Sequence, residues 1–172
     1  MDKRFVLSVA GVAGAAVAAP ALAEDITITM HLDTWASEHG MNFSNGSGGV
    51  SSYVYGGYIY AVSSGSAVIT STIFTAWNST VSPYTSGYRF EINASVDAGD
   101  YDVLLTDSYG DGWQWNNVTG ADAFVVTGNV SGDTNISFAS GSSRTGAVTV
   151  TPAPGALALL GLAGIAGRRK RN

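Results

Sequence analysis

The run Asp107-Ser108-Tyr109-Gly110-Asp111-Gly112-Trp113 holds the residues best suited to chemistry. Glycines on both sides of Asp111 permit positive φ, so carboxylates and main-chain carbonyls can converge on one point. Asp100 and Asp102 lie just upstream. Such a loop suits a hard cation: Ca²⁺ takes roughly six to eight oxygens at about 2.3–2.6 Å. The spacing is not that of an EF-hand, which needs alternate acidic positions, a central glycine and a terminal glutamate, so a site here is irregular. In the competing reading Gly110-Asp111-Gly112 is a tight turn whose aspartates cap backbone amides. Trp113 and Trp115 stand two apart and, on extended chain, face the same way. Exposed, they and Trp35 are platforms for sugar rings; buried, they are core bulk.

The elements that position this loop read as strands. Ile26, Ile28, Met30 and Leu32 alternate with Thr27, Thr29 and His31, a period of two with one buried face. The same period recurs in Tyr88, Phe90, Ile92 and in Tyr101, Val103, Leu105, so the acidic run follows a strand directly. Further strands are expected over 51–62, 67–76, 123–127, 135–139 and 146–151. Residues 42–49 and 63–66 read as turns or loops, and 140–154, rich in Gly, Ser and Pro, as a linker. With many short strands and no amphipathic helix, the expected fold is all-β, an antiparallel β-sandwich of jelly-roll or immunoglobulin-like type.

The segment Gly99 to Trp113 resembles a stretch found in modules of many secreted bacterial and algal proteins. Those modules also carry an Asp…Glu loop after their first strand, matched here by Asp33-Thr34-Trp35-Ala36-Ser37-Glu38. The resemblance implies Asp107 and Asp111 as metal ligands, with Asp33 and Glu38 contributing across the loop end.

Both ends of the chain read as export signals. Lys3 and Arg4 precede an apolar run, Phe5 to Ala19, broken by Pro20 and closed by Ala21-Leu22-Ala23, the small-x-small pattern of a signal peptidase site. Cleavage is expected after Ala23. At the other end Pro152-Ala153-Pro154 precedes an apolar segment and the basic cluster Arg168-Arg169-Lys170-Arg171. This order resembles the PEP-CTERM sorting signal of Gram-negative bacteria, with Ala153 where the name-giving motif has Glu, and implies an exosortase-type processing enzyme. Gly155 to Gly167 spans roughly 20 Å as a helix against a hydrocarbon core of about 30 Å, which suits transient anchoring in the inner membrane. The basic cluster stays cytoplasmic and the rest lies outside. The expected domains are therefore a signal peptide over 1–23, a β-sandwich over 24–150 and a sorting tail over 151–172.

Between the signals lie twelve acidic residues against Arg89 and Arg144 alone, a net charge of −10. Such a surface repels nucleic acid and anionic headgroups and attracts divalent cations. Cysteine is absent, so disulfides and thiolate metal sites are excluded. His31 and His39 are the only histidines, and neither lies in a metalloprotease helix or beside a nucleophile elbow. The primary expectation is an exported, non-enzymatic surface or matrix protein stabilised by Ca²⁺. The alternatives are a module binding extracellular polysaccharide through Trp35, Trp113 or Trp115, and, third, a small glycan-active enzyme.

Overall fold

The computed structural model describes residues 22–78, 86–113 and 122–154, without the side chains of 76–78 and 86. Eleven strands and one turn of 3-10 helix occur among them. In chain order they are β1 (Ala23–Leu32), the 3-10 turn (Ala36–Glu38), β2 (His39–Asn45), β3 (Gly48–Tyr55), β4 (Tyr58–Gly65) and β5 (Val68–Asn78). Then follow β6 (Ser86–Asp97), β7 (Gly99–Asp107), β8 (Phe124–Gly128), β9 (Val130–Gly132), β10 (Asn135–Ile136) and β11 (Ser143–Val150). They form a five-stranded sheet, β10-β8-β1-β6-β5, and a six-stranded sheet, β4-β3-β2-β7-β11-β9. Every pairing is antiparallel. The inward faces of both sheets share one core, so the fold is all-β and sandwich-like, as the alternation predicts.

The two-residue period decides what is inside. Ile26, Ile28, Met30 and Leu32 of β1 face Met41 and Phe43 of β2 and Tyr101, Val103 and Leu105 of β7 across the core. Phe43 stacks on Tyr101 with centroids 4.5 Å apart and planes 8° from parallel, a contact worth about 1 kcal/mol beyond its buried area. On β2 and β7 the inward phase ends on polar residues. His39 precedes Met41 and Phe43, Asp107 follows Val103 and Leu105, and the two are direct partners in the β2–β7 ladder. Alternation therefore drives an imidazole and a carboxylate into the same interior corner.

Several sequence expectations are corrected. Residues 51–62 are two strands, because Gly56 and Gly57 take φ of 60° and 82° and reverse the chain. Most of 42–49 is strand, since Asn45 Oδ1 accepts the Ser47 and Gly48 amides at 2.8 and 3.1 Å and compresses the turn to two residues. The strand expected over 146–151 is present as β11, but it begins at Ser143, inside the expected linker, lies between β7 and β9 and buries Val148 and Val150. Residues 135–139 pair only at Asn135 and Ile136.

The strands also sort the ends of the chain. β1 starts beside Asp97, and β11 finishes at Val150 beside Gly99. The Glu24 carboxylate accepts the Ala153 amide at 2.7 Å and the Asn129 side-chain amide at 3.1 Å, tying the start of β1 to the segment after β11. Asp33 and Asp107 lie at the opposite end, about 25 Å away along β7.

A candidate metal centre at the strand ends

At that far end the backbone assembles the site from two loops. Asp33 follows β1, and its Oδ1 accepts the Trp35 amide at 2.7 Å. The turn continues through the Trp35 carbonyl, which accepts the Glu38 amide at 2.8 Å, and so brings Glu38 to the start of β2. Asp107 repeats the device: its Oδ1 accepts the Tyr109 and Gly110 amides at 2.8 and 2.9 Å. The Ser108 amide then donates to the Glu38 carbonyl at 3.0 Å and joins the two loops.

The second loop lies along residues 138–142. Trp113 N donates to Phe138 O at 2.9 Å, Gly141 N to Gly110 O at 3.1 Å and Asp107 N to Ser142 O at 3.0 Å. Gly112 has φ 86°, and a Cβ there would come within 2.5 Å of Ser140 N and 2.7 Å of Phe138 O. Gly112→Ala should therefore lower stability by about 2 kcal/mol or more, measurable as a lower denaturant midpoint. An unchanged midpoint would mean the loop is not held against this segment.

One ligand atom each from Glu38, Asp107 and Asp111 lies within 4.8 Å of the others. Asp107 is buried, and its Oδ2 has no hydrogen-bond partner. Beside it His39 is also buried, with neither ring nitrogen bonded. Its Nε2 faces Asp33 Oδ1 at 3.5 Å and Asp107 Oδ2 at 3.9 Å, too far for hydrogen bonds. The ring lies 5.2 Å from the Trp113 indole. Asp107 thus divides its carboxylate: Oδ1 caps amides, as the turn reading expects, while Oδ2 is buried without a hydrogen-bond donor.

The electrostatics are those of crowded like charge. Burial raises the Asp33 carboxyl to about 7, against the lowering pull of the Trp35 amide, with Asp111, Asp107 and Glu38 adding to the rise. Glu38 is raised by partial burial and then by Asp107 and Asp111. Burial lowers His39 to about 4 despite the opposing pull of Asp107, so the imidazole is neutral at neutral pH. Among the described residues no Arg pairs with these carboxylates: the one Arg–carboxylate ion pair joins Arg89 to Glu91. A divalent ion supplies what such a set lacks, and an all-carboxylate rim matches a hard cation.

All four expected ligands therefore converge on one strand end, although only Glu38, Asp107 and Asp111 form the compact group. His39 is the residue that sequence reasoning missed. The available signal was the phase of His39, Met41 and Phe43, readable only once β2 is recognised. Asp100 and Asp102 do not take part: Asp100 bonds Thr149 Oγ1 at 2.7 Å, and Asp102 points outward on β7. Trp113 is fully buried and its Nε1 donates to Thr106 O at 2.9 Å, so it belongs to the core rather than to a sugar platform. Trp35 is exposed. Trp115, Ala21 and the Arg168 to Arg171 cluster lie outside the described residues, whereas Ala23 opens β1 and Pro152 and Pro154 follow β11. Compared with protein-family models, curated proteins and solved structures, the chain matches none.

Proposed function

We propose that this chain is an exported, non-enzymatic cell-surface or extracellular-matrix module, whose strand-end loops hold Ca²⁺ as a stabilising ion. The carrying observation is the group Glu38, Asp107 and Asp111, with the buried Asp107 Oδ2 unpartnered beside it. A buried carboxylate oxygen without a donor is costly unless something cationic meets it. Export rests on the signal-peptide pattern of residues 1–23, and sorting on the PEP-CTERM-like tail, processed by an exosortase-type enzyme after transient anchoring. In this reading the tail leaves beside Glu24, and the acidic end points away from the membrane.

Millimolar Ca²⁺ should raise the unfolding midpoint of the chelated protein. At a free concentration one hundred times Kd the gain is about 2.7 kcal/mol, on the order of 10 °C for a domain of this size. Asp107→Asn, which keeps the amide-capping oxygen but removes the charge, should lose most of this gain, as should Asp111→Asn. A midpoint indifferent to Ca²⁺ in the parent protein would reduce the acidic run to a turn.

A further inference from the structure

Two exposed aromatic side chains border the acidic group. Trp35 is 54 % and Tyr109 78 % exposed. Together with Glu38 and Asp111 they line a cavity of about 320 Å³, within the size range of small-ligand sites. Both aromatics are placed by the aspartates of the site. The Asp33 carboxylate accepts the Trp35 amide, and the Asp107 carboxylate accepts the Tyr109 amide, each two residues on. Nothing in the core requires a large ring at either position, since both stand outside the buried set.

We propose that this cavity binds a neutral sugar ring of an extracellular glycan, with Trp35 and Tyr109 against its apolar faces and adjacent hydroxyls completing the coordination of the ion at Glu38, Asp107 and Asp111. The inference rests on the cation reading above and adds the ligand to it. Three carboxylates leave part of a Ca²⁺ shell of roughly six to eight oxygens open. The open side is the cavity, because Glu38 and Asp111 belong both to the acidic group and to its lining. A vicinal diol offers two uncharged oxygens at one edge and C–H faces on either side, matching a cavity lined by two exposed aromatic rings and two carboxylates. The surrounding net charge of −10 between the signals disfavours acidic sugars, phosphates and nucleic acids, which leaves neutral glycans as the fitting class. The chemistry is coordination and stacking; no covalent bond is made or broken.

The purified protein would be applied to an array of neutral oligosaccharides in millimolar Ca²⁺ and again in excess chelator, with thermal unfolding recorded under the same conditions. Binding to a defined set of glycans that falls at least about tenfold on chelation is the expected result. Trp35→Ala and Tyr109→Ala should each weaken glycan binding by about tenfold or more and leave the Ca²⁺-dependent rise in midpoint intact. Asp111→Asn should lose both. A preserved Ca²⁺ shift without glycan binding, or binding indifferent to chelator or to both aromatic substitutions, overturns this inference and leaves the cation reading standing. Absence of any Ca²⁺ shift overturns both.

Discussion

Trp113→Ala is expected to lower the unfolding free energy by about 4 kcal/mol, within the usual range for deleting a buried aromatic side chain. The indole is fully buried, its centroid lies 5.9 Å from Phe138 and 5.2 Å from His39, and its N–H satisfies the carbonyl of Thr106 on β7. Removing it opens a void at the corner where the acidic loop meets the two sheets and deletes the hydrogen bond to β7. A domain of this class has a total stability of about 5–15 kcal/mol, so the variant should retain little margin. Trp113→Phe separates the contributions: it keeps most of the bulk, loses the hydrogen bond and should cost about 1–2 kcal/mol. Trp35→Ala, at an exposed position, should change stability by less than about 0.5 kcal/mol. Denaturant unfolding of the three variants tests the set. Equal effects at Trp35 and Trp113 would contradict the placement of Trp113 in the core.

The second large effect concerns pH, in the presence of chelator. Asp33 has a folded pKa raised to about 7 from 3.8, so between those values the folded state holds more proton than the unfolded one. Its contribution makes stability fall as pH rises through that window, and the full penalty is present above it. His39 has a folded pKa lowered to about 4 from 6.5, so over that interval the unfolded state holds more proton. Its contribution makes stability rise with pH and is complete above 6.5. From pH 4 to 6.5 these two slopes oppose and largely cancel in the parent protein, with the raised Glu38 adding to the falling one. Asp33→Asn should expose the rising slope of His39, and His39→Gln the falling slope of Asp33. Each amounts to an upper limit on the order of 3 kcal/mol across the interval. Chemical denaturation at several pH values reads this directly. Two single variants with the same sign of slope would rule out the opposition.

The alternation of Ile26 to Leu32 and of Tyr101 to Leu105 was enough to read two core strands from sequence, because each has a single apolar face. The same pattern placed the acidic run at a strand end, and Glu38, Asp107 and Asp111 do meet there. The β3–β4 ribbon was not legible as two strands. Its outward positions Tyr53, Tyr55, Tyr58 and Tyr60 are as apolar as its inward ones, so no face stands out around Gly56-Gly57. The start of β11 was obscured in another way: Ser143 to Thr145 have the composition of a linker, and only Val148 and Val150 mark the strand's buried phase. His39 could not be assigned to the site because its partner Asp107 lies 68 positions away, and register between distant strands is a tertiary property.

The placement of β11 also determines how the domain bears load. If the segment after Pro154 is held while the strand-end loops grip a ligand, tension runs along β11 and β7 between opposite ends of the sandwich. The eight paired positions of that ladder are then pulled parallel to the strands, with β9 on the other side of β11. Force applied this way must break many hydrogen bonds together, whereas a pull across the sheet would open them one at a time. Under the proposed attachment at one end and recognition at the other, the β7–β11 ladder is loaded in shear, the mechanically strong direction of a β-sheet.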